Sequence, residues 1–422
     1  MNSGKQELTQ NWPMLAVACV LIFFAFGVPT YSLPFMYNAA MEEFGWSNAQ
    51  VNLLSTAKFL VGAVAALTMG ILVDKVGGRS TVLAGTAVGG VAMALFLFAT
   101  NLPVYYLAGA LLGFSASAIV AAMKVVVTRL FTVNQGVAMG IVLTATSVGG
   151  VVGLIWPPLL EVMGWRQAIA LMSLGPFLIA VPLWLLFMAK SARMREVVSA
   201  PTVVHGTAST WAHFKEISKD RMFWLIALGI FLVSAVDQAL MQNYVSFLRA
   251  DKGIDLRTIG WVATLLAIIG VLGKIGSGWF YDRYSIRGIT FFYVLLAISV
   301  FLGLPVAGML SMLLFVTMRG VAHGGMIVDV PILTRHYFGM ERIGLTIGIM
   351  SVAVNLGFAA GPPVFGLLAD IYGNFTVGII AYGTVAAVAT LTLLPVKPRF
   401  WTSPAAQRRQ ELTATSRPVL AP

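Results

Sequence analysis

Residues 268–288 read IIGVLGKIGSGWFYDRYSIRG, and two features meet in them. An apolar, glycine-rich run carries one lysine, Lys274, and then ends in a Gly278-x-x-x-Asp282-Arg283 turn. The turn has a twin. Gly70-x-x-x-Asp74-Lys75 stands 208 residues earlier, and Gly140, Gly149 and Gly153 recur at the same offset as Gly348, Gly357 and Gly361. One such match among 42 glycines would mean little, but five positions sharing one offset in preserved order indicate an internal duplication.

Around this stretch the chain is greasy. Of 422 residues, 59% are hydrophobic and only 10% charged, where soluble domains carry about 25% charge. The apolar residues fall in twelve blocks: 14–36, 51–73, 81–98, 104–127, 137–160, 167–188, 223–247, 259–280, 288–306, 309–337, 344–369 and 375–394. Blocks of about 20 residues match the roughly 30 Å of hydrocarbon that a helix must cross. The composition therefore predicts an all-α membrane protein of twelve transmembrane helices in two pseudo-symmetric six-helix bundles. No ten-residue alternation favours a barrel. The first block leads straight into further spans, unlike a cleaved leader, and the single Cys19 can form no intrachain disulfide.

A net charge of +11 could suggest nucleic acid, but the placement of the basic residues excludes that reading. Counting the amino terminus as inside, nineteen Lys and Arg residues fall on inner segments and only Arg166, Arg249, Lys252 and Arg257 outside. That asymmetry orients helices in a cell membrane, inner or plasma, with both termini cytoplasmic. Residues 1–188 then form an amino-terminal bundle, 189–221 a polar central loop, 222–398 a carboxyl-terminal bundle and 399–422 a tail. Two similar bundles suit alternating access around a site at mid-membrane. Asp74, Lys75, Arg79, Asp282 and Arg283 could form ionic latches at the inner face, with the turn glycines allowing close helix contact. The plainer reading is that these charges only anchor loops.

Twelve blocks, a long middle loop and paired Gly-x-x-x-Asp-Lys/Arg turns resemble the major facilitator superfamily over nearly the whole chain. Within it, EFGWSNAQVNLL (43–54), GPPVFGLLADIYGNF (361–375) and the residue 268–288 stretch are similar to the monocarboxylate transporter and oxalate/formate antiporter group. The resemblance implies a secondary carrier of small carboxylates, without cofactor, working as a monomer in the lipid bilayer. It also implies that Lys274 stands where that group's carboxylate-binding arginine stands. The match has departures. Lysine lacks the guanidinium's two-pronged fork. Gly270 occupies the place of an acidic residue one turn before the cation. Phe35 in YSLPFMY replaces a basic residue of the first helix, and NQGVAMG (134–140) lacks the basic pair before the fifth.

The charges inside the blocks carry the functional reading. Lys58, Lys124, Lys274 and Arg319 face only Asp237 and Asp329, an excess of cations that favours anionic cargo. Each such group costs at least about 2.5–3.5 kcal/mol at the bilayer centre and usually lines a cavity or pairs. Lys274, Arg319 and Lys58 are candidate substrate contacts, with Tyr31, Asn243 and Asn355 as orienting hydrogen-bond partners. Gln238, Gln242 and Tyr244 could serve likewise, or all could be helix–helix glue. Asp237 is the candidate proton carrier, released from or fixed to Lys274. His323, in RGVAHGG (319–325), could also carry protons or simply pack. Arg319 could hold an anion or only bond carbonyls. Lys124 and Asp329 could close an inner gate, or Lys124 could snorkel.

Proton-coupled monocarboxylate symport follows as the expected function, with carboxylate exchange and proton-driven export of drugs or metabolites as alternatives. An intramembrane enzyme is disfavoured. His-x-x-x-His, Cys-x-x-Cys and P-loop patterns are absent, and four His with one Cys make a poor metal centre.

Overall fold

The computed structural model describes residues 2–76, 78–131, 135–190, 207–339 and 343–400. Helices make up nearly all of it, and no strand occurs among the described residues. Ten of the described helices are long and apolar enough to cross a membrane. One of them, Val137–Ala189, has 53 residues and turns at Gly164, whose φ of 72° breaks it in two. Ile286–Phe301 is a shorter apolar helix. Dividing the first gives eleven segments of spanning length, and the shorter Ile286–Phe301 lies where the ninth block was expected.

The amino-terminal half comprises α1 (Asn2–Ile22), α2 (Val28–Phe44), α3 (Asn48–Val76), α4 (Gly78–Leu95), α5 (Leu102–Leu130), α6 (Gln135–Val148), α7 (Val152–Gly175) and α8 (Val181–Lys190). A π-helical turn at Phe23–Gly27 joins α1 to α2 as one span. The central loop holds a short helix the sequence reading left as loop, α9 (Thr207–Ile217). His213 on α9 lies 2.8 Å from the Thr346 hydroxyl, which docks the helix against the carboxyl-terminal half. That half comprises α10 (Arg221–Ser246), α11 (Leu256–Tyr284), α12 (Ile286–Phe301), α13 (Met309–Met326), α14 (Asp329–Phe338), α15 (Ile343–Tyr372) and α16 (Thr376–Leu393). Side-chain caps start several of these helices. Asn101, Asp220 and Asp255 accept from Val104, Met222 and Thr258 backbone N–H groups, satisfying donors with no partner inside the helix.

Packing explains some of the duplicated glycines and not others. A Cβ on Gly149 would lie 2.3 Å from the Gly27 carbonyl carbon, and one on Gly357 would lie 2.4 Å from Phe231 O. These positions let α6–α7 and α15 press on the first span of their own half. Gly140 and Gly348 have open space within 4 Å, so their recurrence answers no close contact. The same holds for Gly278, where the expected tight helix contact is absent.

The halves meet along three lines: α3 with α15, α6–α7 with α11, and α2 with α10. The contacts are concentrated toward one end. There, Arg249 pairs with Glu42 at 3.0 Å and Arg257 pairs with Glu161 at 2.7 Å. Asp370 accepts from the Asn48 and Ala49 backbone N–H groups, both at 2.8 Å, so a carboxylate of one half caps α3 of the other. Gly153 and Gly260 touch backbone to backbone across the divide. From this end the contacts between the halves reach inward to Phe59–Phe358 and Lys274.

Candidate functional site

Where the three contact lines converge at mid-height, polar side chains replace apolar ones. Asp237 on α10 is 1% exposed and holds two partners from α13. Arg319 Nη2 donates to Asp237 Oδ1 at 2.8 Å and to the Asp237 carbonyl at 2.7 Å. His323 Nδ1, one helical turn on, lies 3.0 Å from Oδ2. Arg319 and His323 occupy positions i and i+4 and therefore share a face of α13.

Lys274 is placed differently. Its ammonium reaches across from α11 to the amino-terminal half and donates to Thr146 Oγ1 at 3.0 Å and Ser147 Oγ at 2.7 Å. The expected Asp237–Lys274 pair is thus not formed: Asp237 turns to Arg319 and His323, and Lys274 has only neutral oxygens as polar partners among the described residues. The two sets remain close neighbours. A Cβ on Gly270 would lie 3.6 Å from His323 Cδ2 and 3.9 Å from Ser147 Oγ, so Gly270 sits between them. A Cβ on Gly324 would meet Lys274 N at 2.6 Å, which shows how closely α11 and α13 cross. Such crossings need glycine.

Several buried polar atoms in this layer have no hydrogen-bond partner: Tyr31 Oη, Tyr244 Oη, Gln238 Nε2, both amide atoms of Gln242, and Arg319 Nη1. Buried polar groups are normally satisfied, so these unpaired atoms on α2, α10 and α13 stand out. One side is walled by aromatics. Phe35 stacks on Trp156 with centroids 6.4 Å apart and meets Tyr244 edge-on at 6.3 Å.

The remaining candidates scatter. Lys58 is buried in the amino-terminal half, donating to Thr30 Oγ1 at 3.2 Å between the rings of Phe26 and Phe59. Asn243 exchanges amide hydrogen bonds with Asn52 of the other half at 2.7 and 3.2 Å, so it belongs to the closure of the cleft. Asn355 donates to the Ser351 carbonyl of its own helix. Asp329 is buried at the start of α14 and accepts from Tyr293 at 2.9 Å; the Lys124 side chain, its supposed gate partner, lies outside the described residues. So do the Asp74 and Lys75 side chains. Arg79, Asp282 and Arg283 are exposed, and no ion pair joins them to a described residue. Sequence reasoning passed over Thr146 and Ser147, whose only signal was two hydroxyl residues just before the Gly149 contact.

Comparison with known proteins agrees with this architecture. The model of the Major Facilitator Superfamily matches residues 15–326 and 226–421. Monocarboxylate transporter 13 of Rattus norvegicus is 25% identical over 336 residues, covering 77% of this chain and 75% of that protein. The 4-hydroxybenzoate transporter PcaK of Pseudomonas putida is 24% identical over 438 residues, covering 93% and 94%. Among solved structures, a bacterial homolog of the human lysosomal transporter Spinster, in an inward-facing and unoccupied conformation, superposes with a TM-score of 0.73. It is 14% identical, and the match covers 90% of this chain and 95% of that one.

Proposed function

Since the chain belongs to the major facilitator superfamily, and is therefore a multi-pass membrane transporter rather than an enzyme, we propose that it carries small organic acids by alternating access, with a proton as the coupled ion. One observation carries the reading: Lys274 is a cation between the halves whose polar partners are two neutral hydroxyls. An ammonium at low dielectric attracts a carboxylate strongly, and the carboxylate gains both the charge and the hydroxyls' hydrogen bonds. Tyr31, Tyr244, Gln238 and Gln242 then orient the rest of the molecule, while the Phe35–Trp156 wall accepts its apolar part. Relatives named for monocarboxylates and for 4-hydroxybenzoate support an organic acid as cargo.

Asp237 and His323 are the proposed proton site. They touch each other, and through Gly270 and Ser147 they border the lysine that binds the anion. Protonation there adds positive charge beside the arriving carboxylate, so the two bind in concert. In this reading the basic end faces the cytoplasm.

The test is uptake into proteoliposomes from a panel of labelled monocarboxylates, with and without an imposed pH gradient. Uptake is expected to rise when the cis side is made acid and to fall in Lys274→Ala. Stimulation by a trans-acid gradient would overturn symport, and full activity of Lys274→Ala on every accepted acid would overturn the site.

A further inference from the structure

A second feature lies away from the central cluster, on the outer side of the carboxyl-terminal half. The start of α12, the turn before it and the segment after α16 enclose a cavity of about 810 Å³. Among the described residues, Arg283, Arg287 and Lys397 are its charged lining and no carboxylate lines it. Thr290 adds a hydroxyl, while Ile286 and Leu394 make apolar wall. Like charges gather here, with no counter-ion among the described lining residues, at the end of the molecule where its basic segments lie.

The surroundings select the ligand. Helices α12 and α16 pack on each other, and above the cavity they expose Phe291, Val294 and Leu391 at 49%, 40% and 60%. This is an apolar track running from three cations into the hydrocarbon layer. An inorganic anion could neutralise the cations but would leave the track unused. A transported acid would be misplaced, because the central cluster lies elsewhere. Basic pockets between membrane helices at a charged leaflet suit phospholipid headgroups.

We propose that this groove is a binding site for an anionic phospholipid. Its phosphate sits among Arg283, Arg287 and Lys397, and its acyl chains run along α12 and α16. The proposal does not depend on what the central cluster transports.

Native mass spectrometry of the full chain, released from micelles containing either phosphatidylglycerol or phosphatidylcholine, tests it. Wild type is expected to retain phosphatidylglycerol in preference to phosphatidylcholine, and millimolar inorganic phosphate is expected not to displace it. Arg287→Gln with Lys397→Gln should weaken phosphatidylglycerol retention about 30-fold and leave phosphatidylcholine unchanged. Leu394→Trp, which fills the wall without altering charge, should weaken it as well. Thermal melting checks that each variant is folded. If the double variant melts early, Lys397→Gln alone, in the segment beyond α16, gives the same readout. Equal retention of both lipids, displacement by phosphate, or unchanged phosphatidylglycerol binding in the variants would each overturn the site.

Discussion

The two halves share a glycine pattern but treat their most deeply buried cations in opposite ways. In the carboxyl-terminal half, Arg319 is 2% exposed and satisfied by the Asp237 carboxylate. In the amino-terminal half, Lys58 is 1% exposed, with a threonine hydroxyl and two aromatic rings around it and no carboxylate partner among the described residues. The glycines diverge too, though less. Gly361 presses on Ala235 of its own half, whereas its counterpart Gly153 presses on Gly260 of the other half. Duplication has kept the spacing that helix packing requires. The polar groups, which packing alone does not fix, have drifted apart.

This contrast can be broken experimentally, and the charged pair is where the largest effect is expected. Asp237→Asn strands a buried guanidinium and should destabilise the protein by about 3–5 kcal/mol, seen as early thermal unfolding in detergent. Arg319→Met should do similar harm by stranding the carboxylate. Lys58→Met should hold or raise the melting temperature, because it removes a charge that has no ionic partner. A drop as large as that of Arg319→Met would show that the halves are alike after all.

Next in size is the central lysine. Losing a charge-assisted hydrogen bond of about 1.5–3 kcal/mol predicts a 10- to 150-fold fall in carboxylate uptake for Lys274→Ala, with melting little changed. Lys274→Arg should recover part of it. The glycines come third. Gly361→Ala places a Cβ 2.1 Å from Ala235 O and should cost about 1–3 kcal/mol, while Gly140→Ala, with open space around it, should stay within about 0.5 kcal/mol of wild type. The smallest effect belongs to the closed end. Arg257→Gln removes an exposed pair with Glu161. It should leave melting unchanged while increasing the labelling of a cysteine introduced as Ala49→Cys in a Cys19→Ser background.

The architecture was largely written in one dimension. Block length is a property of the chain that survives folding, and it matched the helices found here. Two details were less visible. The residues around Gly164 stay helical on either side of a single left-handed residue, so the fifth and sixth blocks run together. The amphipathic α9 sits in a loop read only as polar. The site was legible as an inventory but not as a wiring. Asp237, Lys274, Arg319 and His323 all stood out as charges or titratable groups in apolar blocks. Their pairing depends on the rotation of α10 and α13 about their axes and on the glycine crossing that sets α11 beside α13. Composition does not encode helix rotation, so the expected Asp237–Lys274 pair gave way to Asp237–Arg319. The family stretches 43–54 and 361–375, separate in sequence, turn out to touch through Asn48 and Asp370.

The fastening at the closed end is ionic and wet, whereas the glycine crossing beside it is neutral and dry. Dissolved ions screen the first and leave the second nearly untouched. Brine on that side therefore loosens the clasp without loosening the fulcrum, and in the proposed cycle the balance between the two orientations becomes a function of the salinity met there.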